Sequence, residues 1–396
     1  MLSCQLWILK VINKELAAGI YIHIPFCLRK CSYCDFYSIP VPEKDLLESY
    51  TNGLIQELKT QAPIWRDRKI GTIYLGGGTP SLLAPTQIGR ILAEVFGSYD
   101  MLSEPEISME ANPATLSLQA LKELKQAGIN RLSLGVQSFQ DDELQLLGRI
   151  HGVQEIWDTV NSLEKAGFTN YNIDLIYGIP GQSLQAWINN LGMAVKCHPQ
   201  HISAYLLQLD PSTPMARKIK SGTLPAADED LEASMYYSSI DYLHSEGYQH
   251  YEISNFSQPD YACRHNLIYW QAFEYLGLGA GAVSYRDGQR IINQADFKAY
   301  LDDIDRGSGC AVEILETMSP REKFLDAIIL GLRLTAGIRP KELWQRFGID
   351  FNQEYHAIIK KLESQGLLKV EADRIALSRA GYFLSNQVLC QFVGDL

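Results

Sequence analysis

The spacing of apolar residues along the chain alternates between two periods. Short runs rich in β-branched and aromatic residues predict strands at Ile20–Ile24, Thr72–Leu75, Glu106–Glu110, Arg131–Gly135, Asn170–Ile176 and His201–Leu206. The stretches between them repeat every three to four residues. Leu46, Leu47, Tyr50, Leu54 and Leu58 form one stripe of a helix over Leu46–Thr60. Further helices are predicted over Thr86–Phe96, Ser117–Ala127, Val153–Ala166 and Leu184–Val195, with Gly128 and Gly167 placed where helices end. Strand and helix alternating every ~25–50 residues predicts parallel βαβ units in an α/β fold. Six units form either a partial β/α barrel or an open doubly wound sheet, and periodicity alone does not separate them. In both, ligands bind at the C-terminal ends of the strands.

After about Leu224 the rhythm changes. Asp228–Ser245 reads as a helix, Tyr248–Phe256 as an aromatic strand, and Tyr275–Tyr285 is glycine-rich. Ser308-Gly309 marks a boundary. Beyond it come helices over Pro320–Leu334, Pro340–Phe347 and Asn352–Gln365, short strands within Leu367–Leu377, and a helix over Arg379–Val388. That order suits a mostly helical, winged-helix-like domain. The organisation expected is an extension over 1–19, a core over 20–235, a connecting region over 236–308 and the C-terminal domain over 309–396. A DNA-reading winged helix needs a basic recognition helix. Asn352–Gln365 sets Glu354 and Glu363 against Lys360 and Lys361, so a structural or interaction role is expected instead.

Composition narrows the partners. The 396 residues are 46% hydrophobic and 20% charged, with a net charge of −11. An acidic chain without a basic stripe is not expected to bind nucleic acid through phosphates, nor an anionic membrane by charge. Leu6–Ile12 is apolar but short and interrupted by Lys10, so it reads as an extension, not a signal peptide or a membrane span. No integral membrane segment and a cytoplasmic location are expected.

Three of the eight cysteines fall within Cys27–Cys34, directly after the first predicted strand. Cys4, Cys197, Cys263, Cys310 and Cys390 are scattered and read as thiols in a reducing compartment. Closely spaced cysteines on a loop can hold several corners of one iron–sulfur cube. Three thiolates leave one iron open to a small-molecule ligand. A structural zinc is the competing reading, with His23 as a possible fourth ligand. The turn Gly76-Gly77-Gly78-Thr79-Pro80 ends the second strand, and its glycines allow a ligand close to the backbone, be it a phosphate or another group. Glu110, Gln137 and Asp174 stand at later strand ends, and Arg149 precedes the helix that starts near Val153.

The string Cys27-x3-Cys31-x-Tyr33-Cys34 after a first β-strand resembles the signature of the radical SAM family. The resemblance implies a partial (β/α)6 barrel and a [4Fe-4S] cluster on Cys27, Cys31 and Cys34. It also implies S-adenosylmethionine (SAM) chelated to the open iron by its amino and carboxylate groups. The reduced cluster would deliver one electron to the sulfonium, giving methionine and a 5′-deoxyadenosyl radical. Tyr33 and Phe36 would lie near SAM, and the turn Gly77, Gly78 and Thr79 would hold the methionine amine. Within the family, Tyr21-Ile-His-Ile-Pro-Phe-Cys27 and Gly76-Gly-Gly-Thr-Pro-Ser81 are similar to the wording of oxygen-independent coproporphyrinogen III oxidases and their relatives. That resemblance spans about residues 20 to 390. It implies SAM contacts from Tyr21, Glu110, Gln137, Arg149 and Asp174.

The oxidases carry a further cysteine two positions after the third, and a longer N-terminal arm. Here that position is Phe36, and nineteen residues precede Ile20. Both departures put oxidase activity in doubt. They match the paralogous HemW group of heme chaperones, as does His265-Asn266-Leu267-Ile268-Tyr269-Trp270. This resemblance implies heme as cargo, with His265 as a tentative contact, an acceptor protein, and a reductant such as flavodoxin or ferredoxin. The alternatives are coproporphyrinogen III dehydrogenation and radical chemistry on an unrelated substrate.

Overall fold

The computed structural model describes residues 17–41, 43–306 and 312–394. The expected 1–16 portion of the extension and the Ser308-Gly309 boundary lie outside the described residues. All six expected strands form: β1 Ala18–Ile24, β2 Lys69–Gly77, β3 Asp100–Ala111, β4 Arg131–Gln137, β5 Tyr171–Tyr177 and β6 His201–Leu206. They pair in parallel and in sequence order. A doubly wound sheet reverses its order at a switch point, and these six strands do not. Right-handed crossovers wound in one direction put the connecting helices on one side, as in a partial β/α barrel. Those helices are α1 Lys44–Trp65, α2 Pro85–Ser98, α3 Leu118–Gln126, α4 Asp141–Leu147, α5 Val153–Ala166 and α6 Leu184–Lys196.

The two faces of the sheet differ in chemistry. Ile20, Ile22 and Ile24 of β1, Leu132 and Leu134 of β4, and Ile173 and Leu175 of β5 pack in the main core. Burying each contributes roughly 1.5–3 kcal/mol. Alternate residues of a strand point to the opposite face. There stand Tyr74, Glu110, Arg131, Ser133, Asn172, Asp174, His201 and Ser203, all around one cavity. Parallel strands covered on both faces read as continuous apolar runs. Here the second face is kept polar, which suits an interior that holds a ligand.

The helix α4 is not foreseen by the periodicity, because seven residues make barely two turns. Its first turn carries Asp141, Asp142 and Glu143, which oppose the positive end of the helix dipole. Gly148 ends it in a left-handed conformation, with φ 79°. The chain then makes the helices α7 Pro214–Lys220 and α8 Glu229–Ser245.

The sheet continues past both ends of the barrel. The hairpin β7 Gln249–Glu252 and β8 Asn255–Ser257 joins beyond β6. After the helix α9 Arg264–Trp270, the strand β9 Tyr275–Leu278 pairs in parallel with the free edge of β1. β10 Val283–Arg286, β11 Gln289–Asn293 and β12 Val312–Thr317 follow antiparallel, giving twelve strands. The segment 236–308 thus supplies five strands, and residues 312–317 form an outer strand of the same sheet. The buried carboxylate of Glu57 on α1 ties this extension to the core. It accepts from Gly279 N at 2.9 Å, Asn293 Nδ2 at 2.6 Å and the Tyr300 hydroxyl at 2.7 Å. Burial pushes its pKa up to about 7, against the pull of those three donors. Tyr300 belongs to the helix α10 Phe297–Asp305.

The C-terminal residues build a second core around Phe324, Ile328, Phe351, Ile359, Val388 and Phe392. Its elements follow the expected order: α11 Pro320–Gly331, α12 Pro340–Phe347, α13 Phe351–Glu354, α14 His356–Ser364, β13 Leu368–Val370, β14 Ile375–Leu377, α15 Arg379–Phe383 and α16 Ser385–Val393. The helix expected over Asn352–Gln365 is broken at Tyr355. The one expected over Arg379–Val388 is broken at Leu384 and runs on to Val393.

Candidate functional site

The cysteine loop leaves β1 at Pro25 and returns at Val41. A short parallel pairing of Phe26–Cys27 with Ile39–Pro40 closes its neck, with bonds from Ile39 N to Pro25 O and from Val41 N to Cys27 O. Its tip is pinned as well. Ser32 donates from its amide to Leu147 O at 3.0 Å and from its hydroxyl to Leu146 O at 2.9 Å. Ser32 O in turn accepts from Met215 N at 2.9 Å. A loop held at both ends presents its thiols in a set arrangement, whereas a free loop would have to order on binding.

Cys27, Cys31 and Cys34 are partly exposed free thiols on one cavity of about 520 Å³. Burial pushes the Cys27 and Cys34 thiols up. Arg149 Nη1 lies 3.4 Å from Cys31 Sγ, and the Thr79 hydroxyl 3.7 Å from Cys27 Sγ. Three free thiols on one wall fit the donor set of a cluster with one open corner. A structural zinc would need a fourth ligand beside these three thiols. His23, the possible fourth, does not line this cavity, and its Nδ1 bonds to the Tyr21 hydroxyl at 3.0 Å.

The glycine turn at the end of β2 borders the thiols. Gly78 N donates to Ile24 O at 2.8 Å. A Cβ on Gly78 would lie 2.6 Å from Phe26 O and 2.8 Å from Ile24 O, so the close approach of two backbones requires glycine there. Gly77, at φ 108°, donates to Glu110 Oε2 at 3.0 Å, and the Tyr74 hydroxyl donates to Oε1 at 2.9 Å. Burial, with Asp174 nearby, pushes Glu110 up to about 7. Asp174 is raised by burial against bonds from Ser133 at 2.9 Å and Asn172 at 2.8 Å. Gln137 closes β4 in a left-handed conformation at φ 70°.

Every residue singled out in the sequence for the cluster or for SAM lines this cavity, except Tyr21. The Tyr21 ring lies below it, stacked on Tyr74 at 6.2 Å. Asn112 escaped the sequence reading although it stands in the strand-end string Glu110-Ala-Asn-Pro. It holds two of the singled-out residues together, donating to Thr79 Oγ1 at 3.0 Å and accepting from Arg149 Nη2. Its position two residues after Glu110 was the available signal.

His265, the tentative heme contact of the sequence, does not line the thiol cavity. The ring is 1% exposed, Nδ1 is bonded to Thr72 Oγ1 at 2.7 Å, and Nε2 to the Tyr269 hydroxyl at 2.9 Å. Neither nitrogen is left for an iron. The imidazole docks α9 against the N-terminal part of the barrel, where the Glu106 carboxylate accepts from the amides of Arg264 and His265 at 3.0 Å each. A carboxylate at a helix start is the favourable sign for the dipole.

Two family models match the chain: the radical SAM superfamily over residues 21–193 and the HemN C-terminal domain over residues 318–384. The chain is 33% identical to heme chaperone HemW of Bacillus subtilis, over 95% of this chain and 99% of that protein. It is 35% identical to heme chaperone HemW of Lactococcus lactis, over 95% and 97%. It is also 37% identical to heme chaperone HemW of Escherichia coli, over 68% and 71%. Among solved structures it is similar to the Escherichia coli coproporphyrinogen III oxidase HemN, a radical SAM enzyme. The TM-score is 0.83 and the identity 25%, over 98% of this chain and 93% of that one.

Proposed function

The chain belongs to the HemW family of radical SAM proteins, and on that premise we propose that it binds heme and passes it to an acceptor protein. The single observation that carries this over oxidase chemistry is Phe36. It stands where the oxidases have a further cysteine, and it is 67% exposed at the rim of the thiol cavity.

The chain carries a [4Fe-4S] cluster and SAM. Cys27, Cys31 and Cys34 would hold three irons of the cluster, and SAM bound at the fourth supplies a route for one electron into its sulfonium. The chain's own residues do the positioning. The turn Gly77–Thr79 would meet the methionine end of SAM, and Arg149 its carboxylate, as a guanidinium pairs with carboxylates. Glu110, Gln137 and Asp174 would meet the ribose and adenine side. At a pKa of about 7, Glu110 is protonated below neutrality and accepts hydrogen bonds best above it. Tyr21 supports Tyr74, which in turn holds Glu110. The reductant is a flavodoxin- or ferredoxin-like donor and the site of action the cytoplasm. No helix among the described residues is long and apolar enough to cross a membrane.

The test uses anaerobic, cluster-reconstituted protein given SAM, a reductant and coproporphyrinogen III. No protoporphyrinogen is expected. Heme-loaded protein mixed with apomyoglobin should give holomyoglobin. Enzyme-like turnover of coproporphyrinogen III overturns the carrier reading in favour of the oxidase.

A further inference from the structure

A second cavity, of about 1080 Å³, opens at the opposite end of the barrel. Ala18 at the start of β1 borders it, as do Glu274, just ahead of β9, and residues of α11 and α12. Its volume is just above the ~300–1,000 Å³ of ordinary ligand pockets. Trp270, Phe273, Tyr285 and Phe347 give it aromatic walls.

Five cations line it, and they fall into two groups. Arg68 pairs with Glu274 at 2.5 Å and Asp287 at 3.2 Å, Arg339 with Asp373 at 2.7 Å, and Arg374 with Glu371 at 2.8 Å. Arg346 and Lys323 have no carboxylate within ion-pair distance among the described residues. Arg346 donates only to the carbonyls of Gln271 at 3.0 Å and Ala272 at 3.2 Å, and its guanidinium lies over Phe273 and Phe347 at 5.3 and 5.0 Å. Lys323 donates to Asp287 O at 3.1 Å. Cations outside any ion pair beside aromatic walls suit a flat apolar ligand with two carboxylates. Heme iron is ligated in proteins by His, Cys, Met or Tyr. Of these types only Tyr285 lines the cavity among the described residues, and its hydroxyl has no hydrogen-bond partner among them.

We infer that this cavity is the heme site, with Arg346 and Lys323 taking the two propionates, the aromatic walls covering the macrocycle and Tyr285 ligating the ferric iron through its oxygen. The inference rests on the heme-carrier reading and places the cargo where that reading did not. The seven residues of β1 separate this end from the cysteine loop, a span of about 20 Å. Heme held here is out of reach of a radical formed at the cluster, and is carried unchanged.

The experiment titrates ferric heme and iron-free protoporphyrin into wild type, Arg346→Gln, Lys323→Gln, Tyr285→Phe and Cys27→Ser. Iron content and SAM affinity of the three cavity variants report that the fold is intact. Arg346→Gln and Lys323→Gln are expected to weaken both porphyrins, at least tenfold for the arginine. Tyr285→Phe is expected to shift the Soret band and weaken heme alone. Cys27→Ser is expected to bind heme as wild type does. Heme binding by wild type with unchanged affinity and spectrum in Arg346→Gln and Tyr285→Phe overturns the cavity assignment and leaves the carrier reading standing. Loss of heme only in Cys27→Ser moves the heme to the thiol cavity. Failure of wild type to bind heme at all overturns the carrier reading itself.

Discussion

The buried Glu57 carboxylate makes the stability of the fold depend on pH in a direction opposite to that of an ordinary salt-bridged acid. Its pKa is about 7 in the folded chain against 4.5 for an exposed glutamate. Below 4.5 the group is protonated in both states and contributes no difference. Between 4.5 and 7 the unfolded chain releases its proton while the folded chain keeps it, so stability falls as pH rises. Above 7 the penalty is complete, and 2.5 units amount to about 3 kcal/mol. Glu57→Gln removes the ionisation. It keeps an oxygen for Gly279 and Tyr300 but turns an amide toward Asn293, losing one to two hydrogen bonds at roughly 1–3 kcal/mol. The variant is therefore expected to be the less stable protein at pH 5, by about that amount. The gap should close or reverse by pH 8. Urea denaturation of the metal-free protein at half-unit pH steps measures it. A gap constant from pH 5 to 8 refutes the reasoning, because it would mean that Glu57 titrates alike in both states.

The remaining predictions concern the site. Cys31→Ser removes one of three cluster ligands and is expected to abolish iron loading and SAM binding together, read by iron analysis and by the visible absorbance of the cluster. Gly78→Ala forces a Cβ against Phe26 O and Ile24 O. Overpacking against backbone costs roughly 1–3 kcal/mol, so SAM affinity should fall ~10-fold or more while the cluster still assembles. Arg149→Gln replaces a charged hydrogen bond worth about 1.5–3 kcal/mol and should weaken SAM ~10–100-fold by calorimetry of cluster-loaded protein. His265→Ala loses two buried ring bonds and should lower stability by roughly 2–4 kcal/mol. The heme Soret band should not move, and a changed iron ligation would return His265 to the heme site.

What the sequence made legible follows the kind of signal each feature leaves. The six barrel strands and five of their helices were readable because they repeat at their own period over enough residues. The helix Asp141–Leu147 was not, since two turns show no stripe. The edge strands β10 to β12 were not, because a strand at the margin of a sheet buries little: Val312, Ile314 and Leu315 are each about half exposed. In the site, the thiols and the glycine turn were legible from local spacing, since their chemistry depends on neighbours in the chain. Asn112 and the cavity at the far end were not. Arg346 and Tyr285 meet at one cavity only through the tertiary fold, and no spacing between positions 285 and 346 announces it.

The short helix α9 lies between the two cavities. Asn266 lines the thiol cavity and Trp270 the far one, one turn apart on the same element. His265 and Glu106 fix that helix to the inner face of the barrel, and Arg333 stacks over the Trp270 ring at 4.6 Å from the side of the C-terminal core. A change at either cavity that tilted α9 would therefore be felt at the other without any contact between the two ligands. Such coupling is reciprocal. If SAM binding alters the affinity for heme by some factor, heme alters the affinity for SAM by the same factor.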